Sequence, residues 1–168
     1  MTFIIVSDTH GRYERLAKVF EKHKAADALI FLGDGLSDLD RAGVGNYQFT
    51  VFSVKGNCDS GMGGINALRS KDEITFTFEG VKFYALHGHT KGVKLGLTNA
   101  IYAAEENEAD VLLFGHTHEP IDTYISETEY NLSKSLYAFN PGSLASSYTY
   151  GICVVQNGEF LFSHDTIY

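Results

Sequence analysis

Five short apolar runs in this chain each stop close to residues able to hold a metal ion, and this repeated unit constrains the fold more than any other feature. The runs are Phe3-Ile4-Ile5-Val6, Leu29-Ile30-Phe31-Leu32, Val51-Phe52-Ser53-Val54, Phe83-Tyr84-Ala85-Leu86 and Val111-Leu112-Leu113-Phe114. Their ends lead into Ser7-Asp8-Thr9-His10, Gly33-Asp34, Gly56-Asn57, His87-Gly88-His89 and Gly115-His116-Thr117-His118. Each run is brief and rich in β-branched and aromatic residues, as buried strands are. Open α/β sheets present ligands at the carboxyl ends of their strands, so the Asp, Asn and His residues there read as one converging site. Oxygen and imidazole donors suit hard-to-borderline divalent metals.

Taken singly, each of these residues has an ordinary explanation. An Asp after a strand commonly caps the next helix, and Gly-Asp is often a turn. Capping does not explain why five of the seven histidines fall in three strand tips. His23 and His164 lie outside the pattern and read as ordinary residues.

The ordered set Asp8-x-His10, Gly33-Asp34, Gly56-Asn57, His87 and Gly115-His116-x-His118 resembles the signature of calcineurin-like metallophosphoesterases. Together with Gly56-Asn57-Cys58-Asp59 and the compact length, it is similar to the small YfcE-type phosphodiesterase branch. The resemblance implies a sandwich of two mixed β-sheets flanked by helices. It also implies a pair of divalent ions: Asp8, His10 and His118 on one, Asn57, His87 and His116 on the other, and Asp34 bridging them. Two ions about 3.5–4 Å apart can share a carboxylate and a hydroxide, which attacks phosphorus in line while both ions clamp the phosphoryl oxygens. Mn²⁺ is the favoured ion, with Fe, Ni, Zn or Mg as alternatives because such N/O sites discriminate weakly. Many members of the superfamily follow Gly-Asn with a His that protonates the leaving group, whereas here the position is Cys58, a poor acid at neutral pH. His89, two residues beyond His87, is the substitute for proton donation or phosphate contact, with a surface or supporting role as its alternative.

Along the chain, residues 12–24 carry Leu16, Ala17, Val19 and Phe20 at helical spacing, and residues 98–107 read as a second helix. Strands are expected at 27–32, 48–54, 74–78, 81–86 and 111–114, with a hairpin around Glu79-Gly80. After Pro120 the pattern turns antiparallel, at 121–125 and 135–139, then 151–155 and 160–163 joined by Asn157-Gly158, and these strands are expected to form the second sheet. Asn140-Pro141-Gly142-Ser143 is either a tight turn or a segment near the site. Arg12 is either solvated or a phosphate contact at the helix start. Gly61-Met62-Gly63-Gly64 is expected to be a mobile loop beside the cleft, since it lacks the Gly-Lys-Ser/Thr of a phosphate-binding loop.

The chain has 168 residues and 44% apolar content, without a linker-like segment, so a single domain over 1–168 is expected. Cys58 and Cys153 offer no disulfide framework, and no apolar run approaches the roughly 20 residues of a membrane span. With no basic leader at Met1-Thr2-Phe3, the sequence reads as cytoplasmic and without a membrane partner. A net charge of −8 argues against a nucleic acid as a stable partner and favours a small phosphate ester. A homo-oligomer stays open. The functional expectation is a metal-dependent phosphodiesterase that prefers acidic leaving groups. The alternatives are a phosphomonoesterase or pyrophosphatase on the same site, or a protein-binding scaffold such as the retromer subunit that this resemblance also reaches.

Overall fold

A computed structural model describes residues 1–60 and 69–168. The Gly61-Met62-Gly63-Gly64 segment lies outside the described residues. Two five-stranded sheets pack face to face. The first has the order β10-β9-β1-β2-β3 and the second β4-β5-β6-β8-β7. The strands are β1 (Thr2–Val6), β2 (Ala28–Phe31), β3 (Thr50–Ser53), β4 (Glu73–Phe78), β5 (Val81–Leu86), β6 (Val111–Leu113), β7 (Pro120–Ile125), β8 (Leu136–Pro141), β9 (Thr149–Gln156) and β10 (Glu159–Thr166). Parallel pairing joins β1 to β2 and β2 to β3 in one sheet, and β5 to β6 and β6 to β8 in the other.

The alternation within β1 shows why its run is apolar throughout. Phe3 and Ile5 face the second sheet and join Phe83, Ala85, Val111, Leu113 and Phe139 in the central core. Ile4 and Val6 face outward and meet Leu16, Val19 and Phe20 of α1 (Tyr13–Lys22) and Leu36 and Leu39 of α2 (Leu36–Arg41). On the far side, Tyr84, Leu86 and Leu112 are covered by Ala100, Ile101 and Ala104 of α3 (Thr98–Glu106). A strand covered on both faces has no place for alternating polar residues. The result is two mixed sheets flanked by helices, the α/β sandwich expected from the sequence.

Several local expectations are adjusted. The strand hydrogen-bonded to the other edge of β1 is β9, antiparallel, with Ile4 opposite Ile152. The hairpin at 151–163 therefore completes the first sheet and not the second, because strand pattern alone does not name a pairing partner. Its turn is as expected, with Asn157 and Gly158 at φ 53° and 82°, the pair of positive values a two-residue type I′ turn requires. The run at 51–54 forms an edge strand, and Val51 is exposed. The helix at 12–24 is shorter by a residue or two at each end. α2 and the four-residue α4 (Glu127–Tyr130) escaped notice because neither is long enough to display a 3.6-residue repeat. Among the described residues, no helix is long and apolar enough to cross a membrane.

Candidate metal centre

The carboxyl ends of β1, β2, β5 and β6 lie at one edge of the sandwich and deliver Asp8 and His10, Asp34, His87 and His89, and His116 and His118. The backbone there is unusual. Asp8 (φ 54°), His10 (42°), Asp34 (57°), His116 (68°) and His118 (64°) all occupy the left-handed region that L-residues seldom enter. Five such residues at the tips of three strands mark strain that the surrounding fold holds in place.

Asp8 organises the cluster. Its Oδ2 accepts hydrogen bonds from Ser7 Oγ at 2.6 Å and from the His116 backbone N–H at 3.1 Å. Its Oδ1 is buried without a hydrogen-bond partner among the described residues. Around that oxygen stand three imidazole Nε2 atoms: His118 at 3.1 Å, His10 at 3.7 Å and His87 at 3.9 Å. His87 donates from Nδ1 to the Leu32 carbonyl at 2.6 Å, which turns its Nε2 toward the donor cluster, 3.4 Å from Asp34 Oδ2 and 3.1 Å from His116 Nδ1. His10 Nε2 is 3.3 Å from His118 Nε2. Two groups with ligand atoms mutually within 4.8 Å result, Asp8 with His10 and His118, and Asp34 with His87 and His116. The Asp34 carboxylate also joins His10 and Cys58 in a third such group.

A buried carboxylate oxygen without a donor is costly unless a cation meets it. The orphaned Asp8 oxygen and the lone pairs converging beside it are what a divalent ion needs, so the donor set fits the metals the sequence pattern implies. The electrostatics agree. Burial pushes the Asp34 carboxyl upward, but hydrogen bonding to His87 and to the Cys58 backbone outweighs it and holds the group well below the usual carboxylate range. Burial lowers His87, yet Asp34 and Asp8 together raise it above the ordinary imidazole value. Those carboxylates attract either a proton on His87 or a cation, and the two compete. Burial, with His87 and Lys94 nearby, drops His116 to about 4, which keeps it neutral and able to donate a lone pair.

Asn57 follows directly on Gly56, whose Cα lies against the Asp34 carboxylate. It is exposed on the turn after β3, with its side-chain amide 3.3 Å from Cys58 Sγ. Burial, and then Asp34, push the Cys58 thiol up to about 11, which weakens it further as an acid. The ring of His89 packs 5.5 Å from His87 and 6.2 Å from His116, and its Nδ1 is buried without a partner among the described residues. Arg12 is exposed at the start of α1. His23 and His164 serve structure, bonding the Tyr150 hydroxyl and the Asn140 carbonyl.

Sequence reasoning gave no role to Asp59 and left Asn140-Pro141-Gly142-Ser143 as either a tight turn or a neighbour of the site, yet both hold these loops. Asp59 accepts four backbone N–H groups: Asp34 and Gly56 on Oδ2, each at 2.8 Å, and Gly35 and Leu36 on Oδ1 at 2.8 and 2.9 Å. It ties the β2 and β3 tips together so closely that a side chain on Gly56 would run into the Asp34 carboxylate. The available signal was its position three residues after Gly56, the spacing of a capping box. Asn140 fastens Gly115 and Thr117, and Ser143 Oγ donates to the Asp8 carbonyl at 2.9 Å, so the Asn-Pro-Gly-Ser segment braces the site from outside it. Asp59→Ala leaves four buried donors without their charged acceptor. It should lower stability by about 3 kcal/mol or more, read as a reduced denaturant midpoint. An unchanged midpoint would show that Asp59 does not hold the two tips.

Two mixed sheets with Asp and His donors gathered at their strand tips define a metal-binding α/β sandwich. Residues 1–158 match the calcineurin-like phosphoesterase superfamily domain, and the chain belongs to that family. It is 37% identical over 145 residues to the probable metallophosphoesterase YsnB of Bacillus subtilis, covering 86% of this chain and 75% of that protein. Over 165 residues it is 26% identical to the phosphodiesterase YfcE of Escherichia coli K12, covering 86% and 80%. A crystal structure of a predicted phosphoesterase from Streptococcus pneumoniae shares the fold, with a TM-score of 0.76 at 23% identity over 98% of this chain and 88% of that one. The family and these relatives support a phosphoesterase function that uses divalent metal ions.

Proposed function

We propose that the chain is a dinuclear metal-dependent phosphodiesterase acting on small phosphate diesters, with residues 1–168 working as one domain. The observation that carries this reading is the unpartnered Asp8 Oδ1 facing three imidazole nitrogens, with Asp34 reaching toward both His10 and His87. Asp8, His10 and His118 would hold one ion, and His87, His116 and Asn57 the other, with Asp34 shared. Asn57 would exchange its contact with Cys58 for the metal. When bound, the ions supply a nucleophile drawn from water at neutral pH and positive charge for the phosphoryl oxygens, with Mn²⁺ the favoured ion.

The protein's own groups do the positioning. Ser7, the His116 backbone and the Leu32 carbonyl fix the orientations of Asp8 and His87. His89, whose ring packs 5.5 Å from that of His87, would contact the phosphoryl group or protonate the leaving group. A cavity lined by His10, Asp34, Cys58 and Arg41 adjoins the cluster and offers room for a substituent of the ester.

Cys58 is a weak acid, so leaving groups that depart without a proton should react faster. With Mn²⁺ loaded, kcat/KM for bis-aryl diesters should exceed that for dialkyl diesters by at least about 100-fold, the scale of a missing general acid. Comparable rates on both would count against this assignment. Faster turnover of aryl monoesters or pyrophosphate would favour those alternatives, and no turnover with Mn²⁺, Ni²⁺, Fe²⁺, Zn²⁺ or Mg²⁺ would favour the scaffold.

A further inference from the structure

The cavity beside the cluster, of about 340 Å³, is walled by His10, Asp34 and Cys58 together with the loop and helix residues Gly11, Gly35, Ser37, Asp38 and Arg41. A group bound against the donors therefore shares its enclosure with the guanidinium of Arg41, on the last turn of α2. That guanidinium is fixed in an informative way. Its carbon lies 3.9 Å from the centre of the Tyr13 ring, a contact that uses the flat face and leaves the N–H edge directed elsewhere.

Asp38 does not satisfy that edge. Its Oδ2 is committed to Thr9 Oγ1 at 2.6 Å and to the Gly11 backbone N–H at 2.8 Å, both in the loop that carries Asp8 and His10. Its Oδ1 is 3.8 Å from Arg41 Nη1, beyond hydrogen-bond length. Asp38 thus anchors the metal-side loop and only sets the field around Arg41. In a chain of net charge −8, a planar cation stacked on Tyr13 in the wall of the cavity that also holds metal donors is a specific feature and not general basicity. Guanidinium forks match carboxylate and phosphate oxygens two at a time.

We propose that this cavity contains a second anion subsite, in which Arg41 receives an oxyanion, carboxylate or phosphate, carried by one substituent of the diester whose phosphorus lies at the metal donors. The proposal rests on the phosphodiesterase reading and deepens it: the substrates are diesters bearing a further negative group, and Arg41 is the residue that selects them.

The test uses three diesters sharing a 4-nitrophenyl leaving group and differing only in the other substituent: propyl, 2-carboxyethyl and 2-phosphonoethyl. The Mn²⁺-loaded wild type should show a KM at least about tenfold lower for one or both anionic diesters, the scale of a charge-assisted hydrogen bond, and the better of the two identifies the oxyanion. Arg41→Gln should erase the difference between anionic and propyl diesters, and Arg41→Lys should restore only part of it, because a point charge lacks the fork. No preference in the wild type, or a preference that persists in Arg41→Gln, overturns the subsite. Calorimetric binding of 3-phosphonopropionate against propylphosphonate reads the same selectivity without turnover. Tighter binding of the former that is lost in Arg41→Gln, with none of the diesters hydrolysed, would leave the subsite standing and sink the phosphodiesterase reading. Binding of 3-phosphonopropionate and of 1,3-propanediphosphonate no tighter than that of propylphosphonate would remove the subsite.

Discussion

Asp34→Asn should reduce turnover of aryl diesters by about a thousandfold or more, the scale of removing a charge that organises a transition-state clamp. The substitution is unusually clean at this position. Asn tolerates the left-handed backbone that Asp34 adopts at φ 57°, so the loop is not strained by the exchange. The backbone N–H of residue 34 still donates to Asp59, and an amide oxygen can still accept the Cys58 N–H that now reaches Asp34 Oδ1 at 2.7 Å. What disappears is the charge on Oδ2, which stands 3.4 Å from His87 Nε2 and 3.8 Å from His10 Nε2 and so addresses both donor groups. Metal analysis of the purified variant should find fewer ions per chain than in wild type, alongside the kinetic loss. Turnover at the wild-type rate would show that the shared role assigned to Asp34 is wrong.

Much of this arrangement was legible in the sequence because the informative residues sit where two independent patterns coincide. The run Phe3-Ile4-Ile5-Val6 is a strand buried on both faces, and Asp8 follows at its end, so the fold rule and the chemical rule name the same place. The Asn157-Gly158 and Glu79-Gly80 turns were readable because two consecutive positive φ values leave few residue choices. The β9–β10 hairpin was readable as a hairpin but not as a neighbour of β1, since hydrogen bonding between strands far apart in the chain leaves no local trace. The braces escaped for a related reason. Asp59, Asp38 and Ser143 act on backbone groups brought near only by folding, from residues 23 or more positions away in the case of the β2 tip and 135 in that of Ser143.

Asp8→Asn should move stability in opposite directions depending on whether metal is supplied. In excess chelator the wild-type chain keeps a carboxylate with one oxygen fully satisfied and the other buried without a donor. An asparagine oxygen can take over the contacts of Oδ2 with Ser7 and the His116 backbone. Its NH₂ then occupies the place of Oδ1, 3.1 Å from His118 Nε2, which can accept the proton. An unmet acceptor becomes a made hydrogen bond, a gain of about 1–2 kcal/mol, so the chelated variant should melt about 2–8 °C above wild type. Added Mn²⁺ reverses the order. A ligand bound only to the folded state at about a thousand times its Kd adds about 4 kcal/mol, or roughly 8–16 °C for a chain of this size. Wild type should gain that increment while Asp8→Asn, stripped of the charge that draws the ion, gains little of it and loses turnover. Thermal melts of both proteins in chelator and in Mn²⁺ measure the crossing. If Asp8→Asn melts below wild type in chelator, the buried oxygen is not a source of strain; if Mn²⁺ raises both proteins equally, Asp8 does not hold the ion.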